Sequence, residues 1–195
     1  FLKPDLNYLK NFYGFEEWSE IINEVKVRTK KLTDIKDEID FLKIDVQGYE
    51  SEIIKYGKDK IKECLVVQIE TSPTPLYKDE ATFASTIVQL EKLDFSLHMF
   101  NNVNTRSFKP TIISKNPYTG LHHLFQLDCV LIKNFKIIES YNIDNLKKLI
   151  LILFHSFKSY DLVDYLVRLL DKKTNHKNID KFRNILSKTK IQKKY

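Results

Sequence analysis

Glycine is the scarcest structural signal in this chain. Four residues of 195, Gly14, Gly48, Gly57 and Gly120, stand where average usage of about 7% would place roughly thirteen. The closest pair, Gly48 and Gly57, is nine positions apart, which excludes a glycine-rich phosphate or dinucleotide loop from this sequence. Cysteine is equally sparse. Cys64 and Cys129 are the only two, each opening an apolar run, so neither a disulfide framework nor a cysteine metal cluster is available. They read as inert strand fillers in a reducing, cytoplasmic setting. The longest apolar run, residues 149 to 154, is six residues and too short to span a bilayer. No signal peptide is visible. The chain starts at Phe1 and its one methionine is Met99, which raises the expectation of a piece of a longer protein.

Arginine is rare as well, at 4 residues against 28 lysines. The net charge of +6 is unevenly placed: residues 172–195 carry nine Lys/Arg against Asp180 alone, a net +8, leaving −2 for residues 1–171. The basicity is therefore a property of the tail. Guanine and phosphate recognition favours arginine, so nucleic acid is not the expected partner. A solvated basic terminus accounts for the charge, and an arm for RNA or an anionic membrane surface is the alternative.

What is present is an alternation of buried strands and amphipathic helices. Residues 1–24 form an aromatic lead-in with a helical stretch, and residues 25–29 alternate like a strand. Residues 33–38 suggest a helical turn capped by Thr33 or Asp34. Residues 39–45 read as a short strand ending on Asp45, Glu50–Lys62 as a helix, and residues 65–71 as a buried strand ending near Glu70. A Pro-bearing loop, a helix over 82–93, a strand over 95–100, a long loop over 101–124 and a closing strand over 127–133 follow. This order predicts an α/β fold with parallel pairing, the last strand returning antiparallel at an edge. Residues 144–171 hold two amphipathic helices, expected as a helical hairpin packed on the sheet. One or two further helical turns are expected over 179–186. The domain reading is thus 1–24, 25–143, 144–171 and 172–195.

Ligands of open α/β sheets bind beyond the carboxyl ends of the strands. Asp45 and Glu70 sit at two such ends, and on adjacent strands about 4.8 Å apart both would face one pocket. Gly48 permits a sharp turn, and Glu50 falls in a helix first turn, where the dipole favours its charge. A purely structural cap accounts for a strand-end acid equally well. His98 lies in a strand, where a core or pocket role is open. The loop pair His122 and His123 has no cysteine or acid cluster beside it, so no metal site is expected.

The blocks Val27-Arg-Thr-Lys-Lys-Leu-Thr-Asp-Ile, Lys43-Ile-Asp-Val-Gln-Gly-Tyr-Glu50, Val67-Gln-Ile-Glu and Pro75-Leu-Tyr77 resemble the FkbM family of methyltransferases. The strand from Leu127 and the helix pair around Ser159 extend the resemblance over about residues 25–170. It implies a Rossmann-like class I methyltransferase sheet, S-adenosylmethionine as methyl donor and a hydroxyl acceptor on a small metabolite, sugar or glycan. It also implies that the glycine-bearing first half of that fold, roughly 90 residues at about 30 per βα unit, is missing here. The chain is then expected to be the C-terminal half, binding the donor weakly or not at all and inactive by itself. Asp45 and Glu70 become the catalytic candidates, Asp45, Gln47, Gly48 and Glu50 the donor-binding ones, and Tyr77, His98 and Arg106 the acceptor-binding ones. Asn101, Asn102, Asn104 and His122 add hydrogen-bonding groups to the long loop. Two other classes stay open: a non-catalytic binding module holding an anionic partner through its tail, and an assembly in which the 144–171 helices pair between chains.

Overall fold

β1 (Phe41–Ile44) and β2 (Val66–Thr71) run parallel, with Ile44 beside Ile69, and α3 (Glu50–Glu63) makes the crossover between them. The helix begins with Glu50 and Glu52 in its first turn and ends with Lys60 and Lys62 in its last, charges that complement the helix dipole. Its Ile54 and Ile61 are buried against the sheet. In this computed structural model residues 2–188 are described. The chain divides into two compact units, Phe1–Ile132 and Lys133–Tyr195.

In the first unit α1 (Leu6–Leu9) and α2 (Phe15–Trp18) precede a single 3-10 turn at Leu32–Asp34. After β2 come α4 (Phe83–Glu91), β3 (Phe95–Arg106) and β4 (His123–Lys133). Thr82 caps α4 by accepting from the Ser85 amide. The sheet order is β1-β2-β4-β3. Ile44, Val67, Ile69, Leu127, Cys129 and Leu131 of the sheet join Ile54, Ile61, Ile87 and Leu90 of α3 and α4 in one core. The alternate positions, among them Gln68 and Glu70, point the other way.

Three expectations are corrected. The closing strand is not at an edge: β4 runs antiparallel to β2, with Glu70 opposite Asp128, and lies between β2 and β3. Composition accounts for the exchange. Residues 127 and 129–133 are all buried, whereas β3 carries Asn101, Asn102 and Asn104 and is only partly covered, which suits an edge. Those asparagines therefore belong to a strand of 12 residues rather than to a loop. Residues 25–29 make no strand and are exposed throughout, because alternation alone does not form a strand without a neighbour to bond.

The lead-in is ordered by the second small core of this unit. Leu9 and Phe12 are buried with Leu76 and Phe125, and Phe12 packs edge-on against Phe125 at 5.1 Å between ring centres. Backbone bonds from Asp5 to the Leu76 carbonyl and from Lys78 to the Lys3 carbonyl, both 2.8 Å, tie it to the loop after β2.

The second unit holds α5 (Phe135–Ser140), α6 (Ile143–Ile152), a π-helical turn at Leu153–Phe157, α7 (Tyr160–Thr174) and α8 (Asn178–Lys188). Lys158 in the left-handed conformation, φ 54°, breaks the path between α6 and α7. Asp164 accepts from Arg168 (2.8 Å) and Arg183 (3.1 Å), linking α7 to α8. The rest of the basic tail, 189–195, lies outside the described residues. No described helix is long and apolar enough to cross a membrane.

Candidate active site

The parallel register of β1 and β2 sets the site. Because Ile44 pairs with Ile69, the next residue on each strand, Asp45 and Glu70, emerges at the same end of the sheet. Gln47 joins them. Its Nε2 donates to Asp45 Oδ1 at 3.0 Å and to Glu70 Oε2 at 2.9 Å, and its Oε1 accepts from the Tyr77 hydroxyl at 2.7 Å. The turn that delivers this side chain needs two consecutive positive φ values, 55° at Gln47 and 97° at Gly48. A Cβ on Gly48 would stand 2.8 Å from the Tyr77 ring, so glycine is required both for φ and for the approach of Tyr77.

Each acid has its own environment. Asp45 is exposed and paired to Lys43 Nζ at 2.9 Å; that bond, with the amide of Gln47, holds its carboxyl below the usual carboxylate range. Glu70 is half-buried, and burial, reinforced by the negative charge of Asp45, pushes its carboxyl up to about 7. Glu50 is buried and accepts from the Val46 amide at 2.9 Å, which fixes the turn from below. Glu80 accepts from the Leu76 and Tyr77 amides at 2.5 and 3.0 Å, and burial raises its carboxyl too. Between Glu50, Glu70, Tyr77, Glu80 and Gln126 remains a cavity of about 10 Å³, room for one water at most. Among the described residues no group of three His, Cys, Asp or Glu is arranged to hold a metal ion.

The structure thus brings Asp45, Gln47, Gly48, Glu50, Glu70 and Tyr77 together. It does not bring His98 or Arg106 to them. His98 is on β3, separated from β2 by β4, hence roughly 10 Å from β2 at ordinary strand spacing. Arg106 lays its guanidinium over the rings of Phe15 (5.7 Å) and Phe125 (5.5 Å) and bonds the Thr105 carbonyl. It supports the aromatic core of the lead-in. His123 is likewise occupied, 2.6 Å from the Tyr8 hydroxyl.

Sequence reasoning missed Glu80, Gln126 and the aromatic wall formed by Phe15 and Trp18, which line the same region. The signals were there: Glu80 closes the Pro-bearing loop, and Trp18 is the only tryptophan. What no local pattern gives is the backbone pairing of Pro4 with Tyr77 that brings them in.

A parallel β1–β2 pair joined through α3, with β4 antiparallel beside β2, makes this unit a mixed α/β domain that carries two unlike carboxylates at one end of the parallel pair. The family model of the methyltransferase FkbM domain matches residues 5–97, and that stretch is of FkbM methyltransferase type. The match includes all six clustered residues and begins 20 residues earlier than the resemblance read from the sequence blocks. His98 and Arg106 fall outside it. No curated protein and no solved structure matches the chain.

Proposed function

We propose that this domain takes part in S-adenosylmethionine-dependent methylation of a hydroxyl on a small molecule, with Glu70 as the base. The observation that carries the reading is the single amide of Gln47 spanning two carboxylates of opposite character. The donor set suits the methyl donor: its sulfonium is cationic, and the exposed Asp45 carboxylate, kept ionised by Lys43, offers the matching charge. Asp45 and Gln47 would hold that end of the donor, which supplies an electrophilic methyl group when bound.

The protein's own part is proton handling and alignment. A free carboxylate of ordinary acidity is a weak base towards an alcohol, and a base poised near neutral pH performs better. Glu70 meets that requirement and Asp45 does not. Glu70 accepts the hydroxyl proton as the acceptor oxygen attacks, and Gln47 orients the carboxylate. Tyr77 in turn orients Gln47. Alignment of this kind contributes a large share of the acceleration of a displacement reaction.

The test joins this chain to the donor-binding first half that the family resemblance implies and follows transfer of tritiated methyl from S-adenosylmethionine to a pooled mixture of uncharged hydroxyl compounds. Labelled product is expected, with Glu70→Gln reducing the rate by about 10²-fold or more while the circular dichroism stays native. A Glu70→Gln protein as active as wild type overturns the base assignment, and no labelled product from wild type overturns the methyl-transfer reading.

A further inference from the structure

The second unit carries a basic face on its last helix. Over residues 172–188 six Lys/Arg stand against Asp180 alone. Arg183 and its neighbour Arg168 on α7 both donate to Asp164. Lys172, Lys173, Lys177, Lys181 and Lys188 are exposed, and none of them has a carboxylate partner among the described residues. α8 holds part of this charge in a fixed frame. Asp171 near the end of α7 accepts from the Asn178 amide at 3.0 Å, the Asn178 side chain at 2.8 Å and the Ile179 amide at 2.9 Å. The buried Phe182 packs edge-on against Phe154 at 6.1 Å between ring centres. With Phe182 turned inward, Lys181, Ile185 and Lys188, spaced i, i+4 and i+7, share a side of the helix that solvent reaches. Ile185, in the middle of that stripe, is 54% exposed. Asp180, in the first turn of α8, projects roughly 100° round the helix from Lys181 and leaves the stripe without an acid.

Three features select the partner. Exposed lysines without carboxylate partners are complementary to a polyanion. Nucleic-acid phosphates favour the arginine fork, yet both arginines of this region are held by Asp164, and the stripe has no aromatic side chain on which a base could stack. An apolar side chain set between lysines suits instead the boundary of headgroups and acyl chains, where it leaves water while the ammonium groups reach the phosphates. We propose that this face docks on an anionic lipid bilayer, with Lys177, Lys181 and Lys188 on the lipid phosphates and Ile185 inserted between the headgroups. Lys172 and Lys173 add charge at the adjoining end of α7. Lys190, Lys193 and Lys194 continue the basic sequence, outside the described residues. This docking is independent of the methyl-transfer reading.

The full chain is sedimented with vesicles of phosphatidylcholine alone and of phosphatidylcholine with about 30% phosphatidylglycerol, in about 0.1 M salt. Binding is expected to the anionic vesicles only, and it should fall steeply as salt rises towards about 1 M. Each lysine near such a surface contributes about fivefold to partition, so Lys177→Gln, Lys181→Gln and Lys188→Gln together should weaken it roughly 100-fold. Ile185→Ser, which removes the inserted side chain and keeps every charge, should weaken it about threefold or more. Both variants should keep the circular dichroism of the wild type. No binding to either vesicle, equal binding to both, or binding indifferent to salt overturns the proposal. Undiminished binding by the folded triple variant overturns it by moving the contact off the α8 stripe. Undiminished binding by Ile185→Ser overturns it as well, because a contact of charge alone does not distinguish a bilayer from another polyanion. An oligouridylate of about 20 nucleotides that displaces the chain from the vesicles at equal phosphate concentration overturns the choice of a membrane in favour of RNA.

Discussion

Gln47 and Glu70, 23 residues apart in the chain, meet at 2.9 Å through the amide nitrogen of one and a carboxylate oxygen of the other. That contact exists only because β1 and β2 are parallel and in register, and it places a neutral donor on the one acid of the pair that burial makes reluctant to ionise. The electrostatics of the site can therefore be read from its response to pH.

Glu70 has a folded pKa of about 7 against an ordinary 4.5. A carboxyl raised on folding binds its proton more tightly in the native state, so its contribution to stability is complete below about pH 4.5 and is lost as pH rises to about 7. Glu70→Gln is expected to be neutral near pH 4 and stabilising at pH 8. Allowing for solvent screening of a half-buried group, the gain is on the order of 1 kcal/mol. Urea unfolding at the two pH values checks the sign, and in the methyl-transfer assay the wild-type rate should rise through pH 7.

Gly48→Ala is expected to cost about 1–3 kcal/mol, since the new methyl meets both a left-handed backbone and the Tyr77 ring. Displacing Tyr77 also frees Gln47. Urea unfolding monitored at Trp18 measures the loss; a variant as stable as wild type would show that the turn relaxes without cost.

Glu50 offers a cleaner separation of charge from hydrogen bonding. Glu50→Ala leaves the Val46 amide without its acceptor and is expected to cost about 1–3 kcal/mol. Glu50→Gln retains an acceptor oxygen and should recover most of that. Equal losses in both variants would mean that the charge, rather than the bond to Val46, matters.

Phe12 is fully buried at the centre of the lead-in core. Phe12→Ala is expected to destabilise the first unit by about 3–5 kcal/mol and to shift Trp18 emission to the red, because Trp18 packs on Phe15 and Phe15 on Phe12.

Both thiols are buried, and burial, with the charge of Asp128, pushes Cys129 up to about 12. Native protein should therefore react slowly with a thiol reagent at pH 8, and denatured protein should release two equivalents at once. A fast native phase would contradict the burial of these strands.

The strand-end acids were legible in the sequence because a short apolar run closed by an acid is the pattern of a buried strand meeting solvent at its end. Residues 41–44 and 66–71 are strands, and α3 and α4 lie where the apolar spacing put them. Less visible were the differences between the acids. Asp45 and Glu70 look alike in sequence, and only the Lys43 pair on one side and burial on the other tell them apart. The order of the sheet was hidden too, since whether a returning strand caps an edge or enters the middle depends on the relative burial of two strands. The lead-in was least legible of all: its aromatics gain their meaning from Leu76 and Phe125, far away in the chain.

The central placement of β4 also bears on the order in which this unit can assemble. During synthesis β3 leaves the ribosome before β4, yet in the finished sheet β4 stands between β3 and β2. Until residue 133 is available, β3 lacks its neighbour and one side of β2 is unbonded. The helical segments can form as they emerge, but the sheet closes in one late event that joins segments about 60 residues apart, as Val66 pairs with Ile132. Long-range closure of that kind slows folding. A nascent chain stalled before β4 would present two open strand edges, the state in which this domain most needs a chaperone.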